Sequence, residues 1–157
     1  MGARSSVEQR LAALGLAVPE APAPVAAYVP AVVTGNYVFT SGQLPFVDGK
    51  LPRTGKVGAE VSQEDAAELA RQCALNAIAA VKSVIDDLDR VVRVVKVVGF
   101  VASAPDFTGQ PFVMNGASKL LGEAFGDAGV HARSAVGVAV LPMDSPVEVE
   151  LVVEISN

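Results

Sequence analysis

A near-continuous valine run from Val91 to Val101, broken by Arg93 and Lys96, constrains this chain more than any other stretch. Branching at Cβ stiffens χ1, crowds a helix and suits a pleated surface, so the run is expected to be a strand. It lacks polar alternation, which suits a central strand covered on both faces. Two shorter runs of the same character follow, within His131 to Pro142 and Pro146 to Val153. They read as a hairpin-like pair, with a cation at the head of the first run and Glu148 and Glu150 within the second.

The remaining segments supply what such strands need for cover. Ser62 is an N-cap for the main helix, with Asp65 three residues later. Ala66, Leu69, Ala70, Cys73, Ala77, Val81 and Val84 then recur at spacings of three and four, up to the acidic cluster Asp86-Asp87-Leu88-Asp89. A second helix is expected from about Gln110 to Phe125, with Val113, Leu120, Leu121 and Phe125 as its packing face and Gly126 as its end. Upstream, Val29–Val33 and Tyr37–Thr40 read as strands joined at Thr34-Gly35-Asn36. The order is β-β-α-β-α-β-β, and two helices packed on one face of a mixed sheet give an α+β fold. Ser5 with Glu8 starts a short helix that Gly15 stops, and a Pro-Ala connector runs from Val18 to Val25. The organisation is therefore an N-terminal helix and connector over residues 1–24, then one domain over residues 25–157.

Valine and alanine must fill the interior, because only 5% of the residues are aromatic and none is tryptophan. The mean hydropathy is +0.42, yet no apolar run reaches the roughly 18 residues of a membrane span. The excess points to contacts between copies of the chain rather than to a membrane. A net charge of −5 without any basic block leaves nothing to neutralise phosphates, so no nucleic-acid partner is expected. One cysteine and one histidine argue against an internal disulfide and a metal site. Glu8 and Arg10 stand where a signal peptide would be apolar, so the cytoplasm is the expected location.

Arg133 is the leading candidate for a site. Three readings remain open: a surface arginine at a strand start, half of an ion pair with Glu148 or Glu150, or a bidentate clamp for a ligand carboxylate. Glu148 and Glu150, two apart, share a face of their strand. They are either a solvated edge pair or a source of a general base. His131 reads as a loop or interface residue and Cys73 as core. Ser41-Gly42 offers a hydroxyl and backbone N–H groups to a ligand, or simple turn chemistry.

Taken in order, Gly35-Asn36, Thr40-Ser41-Gly42-Gln43-Leu44-Pro45, Asn115, Ala132-Arg133-Ser134, Leu141-Pro142 and Val147-Glu148-Val149-Glu150 form a recognisable series. With them the chain, from about Val25 to Ser156, resembles the RidA/YjgF reactive-intermediate deaminases, also known as L-PSP endoribonucleases or translation inhibitors. The resemblance implies a chorismate-mutase-like fold assembled as a homotrimer, with ligand sites in the clefts between subunits. It implies hydrolysis of small imino or enamino acids such as 2-aminoacrylate to 2-oxo acids and ammonia, with no cofactor or metal. Arg133 would grip the substrate carboxylate and Glu148 would position or activate water. Tyr28, Ser41, Gly42, Asn115 and Ser134 match positions of the same pocket. Ser118, Ala135 and Gly137 depart from the family pattern, which motivates the alternative of a non-catalytic carboxylate-binding or regulatory protein. The acidic balance disfavours the ribonuclease activity in the family name.

Overall fold

The structure, a computed structural model, describes residues 3–21 and 27–157. Residues 22–26 of the Pro-Ala connector lie outside the described part. The elements are α1 (Ser6–Ala13), β1 (Ala31–Thr34), β2 (Tyr37–Thr40), α2 (Gln63–Ile85), β3 (Val91–Ala102), α3 (Gln110–Phe125), β4 (Ala132–Val138) and β5 (Val147–Ile155), with short 3-10 turns between some of them. Helices α2 and α3 lie against one face of a five-stranded mixed sheet. No helix among the described residues is long and apolar enough to cross a membrane.

Local chemistry explains where the helices begin. The Ser62 hydroxyl accepts from the Asp65 amide at 3.1 Å, and Ser5 and Glu8 form a reciprocal capping box on α1. The apolar stripe of α2 is buried from Ala66 through Val81. Val84, expected on that stripe, is instead 37% exposed and Ile85 takes the inward position. Small residues let the two long helices approach closely. A Cβ at Gly116 of α3 would fall 1.9 Å from the Ala67 carbonyl oxygen of α2, so backbone contact leaves no room for any side chain there.

Helix α1 is part of this packing. Val7 and Leu11 are buried, Arg10 donates to the Ala124 carbonyl of α3, and Lys82 of α2 pairs with Glu8. The Asp89 carboxylate accepts from the Ser6 amide, the Ser6 hydroxyl and the Val7 amide. The Ser6 amide bond is the main reason its pKa lies below the usual value.

The strand order is β1-β2-β5-β3-β4. This corrects the expectation that the last two runs form a hairpin. Strand β4 runs parallel to β3 at the sheet edge, while β5 is inserted antiparallel between β2 and β3. The reason lies in the connections. The long segment carrying α3 brings β4 back parallel to β3, as a crossover requires. After β4, Met143 and Asp144 adopt positive φ, and Asp144 is held to Gly55 and Lys56. The chain is thereby carried past β3 before β5 begins.

The valine run becomes β3, but only one of its faces is covered in this chain. Val94, Val97 and Val101 are completely buried beneath the helices, whereas Val92 is 49% exposed. In β5, Val147, Val149, Leu151, Val153 and Ile155 face the core, and Glu148, Glu150, Val152 and Glu154 point the other way. Together with Val32, Tyr37, Phe39 and Val136, they form an outer sheet face rich in exposed apolar side chains.

Candidate functional site

The register of β4 decides the environment of Arg133. It pairs with Val97, which in turn pairs with Leu151, so the arginine lies on the helix-facing side. As an edge strand β4 is incompletely covered, and Arg133 stays half-buried beside α3. Its Nη1 donates to Asn115 Oδ1 at 2.8 Å and to Ser118 Oγ at 3.2 Å. Asn115 and Ser118 are three apart, so α3 presents both to the arginine on one face. Among the described residues no carboxylate forms an ion pair with Arg133. Glu148 pairs in register with Phe100 and Glu150 with Val98, on the opposite side of the sheet. The internal ion pair considered from the sequence is therefore absent. Both Nη1 hydrogens serve neutral oxygens, leaving the Nη2 and Nε edge for an anion.

Ser118 continues the network. Its hydroxyl lies 2.8 Å from His131 Nε2, and His131 Nδ1 lies 2.6 Å from the Gly129 carbonyl oxygen. A carbonyl only accepts, so Nδ1 carries a proton and, in the neutral ring, Nε2 accepts from Ser118. Sequence reasoning had treated Ser118 as a departure from a pattern and His131 as a loop or interface residue. The usable signal was the spacing of Asn115 and Ser118 on one helical face, with the sole histidine two residues ahead of Arg133.

The second cluster occupies the other face. Glu148 is half-buried, and its pKa is raised, first by burial and then by the charge of Glu150. Gly42 lies against it: a Cβ there would meet Glu148 Oε2 at 2.5 Å, so a side chain at this position would displace the carboxylate. The Ser41 hydroxyl donates to the Val29 carbonyl at 2.7 Å, which fastens the segment carrying Tyr28 to the end of β2. Tyr28 itself is 68% exposed. Ser134 neighbours Arg133 in sequence but pairs with Val98, on the face of Glu148 and Glu150.

One chain thus holds two polar clusters on opposite faces of the sheet. Arg133, Asn115, Ser118 and His131 form one. Glu148, with Gly42 against it and Ser134 on the same sheet face, forms the other. Two concavities of the described residues lie elsewhere. One of about 490 Å³ is bordered by Pro19, Gln43, Phe46 and Asn76, and one of about 670 Å³ by Lys56, Ser103, Gln110 and Gly137. Neither is lined by Arg133 or Glu148.

Residues 8–155 match the family model described as "YjgF/chorismate_mutase-like, putative endoribonuclease". The chain belongs to this family. Its YjgF-like character extends across relatives of nearly the same length. "Protein TCP17" of Trypanosoma cruzi is 44% identical over 156 residues, covering 99% of this chain and 98% of that protein. The crystal structure of Atu1372 from Agrobacterium tumefaciens, a protein of unknown function, has a TM-score of 0.91 and 45% identity, covering 96% of this chain and 93% of its own. The structure of Escherichia coli TdcF with bound serine has a TM-score of 0.65 and 27% identity, covering 87% of this chain and 94% of its own. The chorismate-mutase-like α+β fold expected from the resemblance is that of these YjgF-family neighbours.

Proposed function

We propose that this YjgF-family chain hydrolyses small 2-imino or 2-enamino acids to 2-oxo acids and ammonia, in clefts between the copies of a cytoplasmic homotrimer. The observation that carries the reading is the separation of its charges. Among the described residues Arg133 has no carboxylate partner, and Glu148 lies on the opposite sheet face with a raised pKa. A half-buried guanidinium of this kind suits a ligand carboxylate. A second copy packed on the outer sheet face supplies the Glu148 half-site of the cleft. The exposed Val32, Phe39 and Val136 support such packing. The serine bound in TdcF supports a small amino-acid-like ligand.

The chemistry asks little of the protein. A protonated imine is already electrophilic, so the protein mainly has to orient it and direct a water. Arg133 fixes the carboxylate, with Asn115 holding the guanidinium. Glu148, made more basic by its surroundings, takes a proton from water as the oxygen adds to the imine carbon. The resulting carbinolamine expels ammonia once its nitrogen is protonated and becomes the 2-oxo acid. Ser41, Gly42, Tyr28 and Ser134 shape the Glu148 side of the cleft. No metal or organic cofactor enters these steps.

The test generates imines in situ with an amino-acid oxidase and follows their loss against a semicarbazide trap. Acceleration over buffer is expected, with Arg133→Ala lowering it at least ~100-fold, the order of effect of removing a charged hydrogen-bond partner. No acceleration across several amino acids sinks the reading. Binding of 2-oxo acids without turnover would select the alternative of a carboxylate-binding protein.

A further inference from the structure

We infer that Ser118 is a ligand-binding residue that selects nitrogen-bearing acids over their 2-oxo counterparts, and that His131 is the positioning residue that sets the polarity of its hydroxyl. The inference rests on the reading of Arg133 as the carboxylate clamp and adds a specificity element to it. Hydrogen-bond accounting carries the argument. A serine hydroxyl has one hydrogen to donate and two lone pairs that accept. His131 Nδ1 must donate to the Gly129 carbonyl at 2.6 Å. Nε2 of the neutral ring therefore accepts, and the Ser118 hydrogen points at it across 2.8 Å. One Ser118 lone pair receives Arg133 Nη1 at 3.2 Å. What remains is a single lone pair on a half-buried oxygen beside the carboxylate clamp. Towards a ligand, Ser118 is an acceptor and nothing else.

That polarity distinguishes the two ends of the proposed reaction. The α-nitrogen of an amino or iminium acid is two bonds from the carboxylate carbon. When Arg133 holds the carboxylate, this nitrogen comes within reach of Ser118 and donates an N–H to it. A 2-oxo acid presents a carbonyl oxygen at the same place. Acceptor then faces acceptor, and the Ser118 lone pair is left unsatisfied where water is partly excluded. Asn115 does not undo the choice. Its carbonyl accepts from Arg133 at 2.8 Å and keeps a second lone pair, which like that of Ser118 suits an N–H rather than a carbonyl oxygen. The selector thus holds substrate-like acids and lets the 2-oxo product go.

The experiment measures equilibrium binding of L-serine and of 3-hydroxypyruvate, which share the carboxylate and hydroxymethyl groups and differ at the α-carbon, by calorimetry on the full-length protein at pH 8. Wild type is expected to prefer L-serine by about 10-fold, the size of one mismatched hydrogen bond. Ser118→Ala should bring the two affinities towards parity, and Ser118→Thr, which keeps the hydroxyl, should restore the preference. His131→Phe leaves the hydroxyl free to turn and should also move them towards parity, although the phenyl ring touches no ligand. Circular dichroism of each variant checks folding. An unchanged preference in folded Ser118→Ala overturns the selector and leaves the clamp standing. Failure of wild type to bind either acid, or unaltered binding by Arg133→Ala, overturns both. Turnover is not measured, so failure of imine hydrolysis would show only in the separate trapping assay.

Discussion

The two faces of the sheet answer to different demands. Towards the helices, Val94, Val97, Val101, Val147 and Val149 are wholly buried, and the packing is close enough to exclude a Cβ at Gly116. Away from the helices, Val32, Phe39 and Val136 stay exposed, and the pKa of Glu148 is raised by burial and then by the charge of Glu150. The inner face is arranged as a single chain needs it. The outer face is energetically incomplete in a single chain, and it carries the Glu148 cluster of the candidate site. Contiguous exposed apolar patches are a general mark of interaction surfaces, which is why the proposal places a second copy there.

Breaking the inner face should have the largest effect. Leu120 of α3 is fully buried, so Leu120→Ala is expected to cost about 2–5 kcal/mol, the lost transfer energy plus the cavity left behind. Urea denaturation gives the value directly. A loss below about 1 kcal/mol would mean that the α3 interface relaxes freely, contrary to the tight helix contact at Gly116.

The matching change on the outer face should leave the chain folded and break the assembly instead. Phe39→Asp places a charge on the exposed apolar face, at a side chain that is 47% exposed. Sedimentation velocity is expected to show a trimer for wild type and a monomer for the variant, with the far-ultraviolet spectrum unchanged. Wild type sedimenting as a monomer would remove the homotrimer from the proposal. Unfolding of the variant would show that the outer face contributes to the stability of one chain.

What could be read without the structure divides along the same line. The bounds of α2 and α3 were legible because caps, apolar spacing and Gly126 are local signals. Arg133 was conspicuous because a guanidinium heads an apolar run. The partner of a strand is not local. Nothing in the residues between Val138 and Val147 announces that β5 passes beyond β3, so the hairpin reading was the natural and mistaken one. That error also hid the placing of Arg133 and Glu148 on opposite faces, since face follows from register through β3. Ser118 and His131 escaped for a related reason. A helical serine and a loop histidine acquire meaning only when tertiary packing brings them within 2.8 Å.

A smaller effect sharpens the comparison through pH. The pKa of Glu148 is raised in the folded chain, by burial and then by Glu150. The folded state therefore binds this proton more tightly than the unfolded state does. Its contribution to stability is fully present below the unfolded pKa and is lost as pH rises through the folded value, where ionisation must occur against desolvation and a neighbouring negative charge. Glu148→Gln cannot ionise. The variant should match wild type in acid and gain relative to it above the folded pKa, in denaturation series run across pH 4 to 8. Activity should move oppositely. Wild-type kcat/KM should rise with pH as the carboxylate base appears, and Glu148→Gln should lack that rise while retaining carboxylate binding through Arg133. Asp89 supplies the contrast, because its pKa is lowered by the bonds it accepts from α1. Its stabilisation is present above the unfolded pKa and lost as pH falls through the folded one. If Glu148→Gln were instead less stable than wild type at pH 8, the carboxylate would be satisfied where it stands. The outer face would then hold no unmet electrostatic demand for a second copy or a ligand to answer.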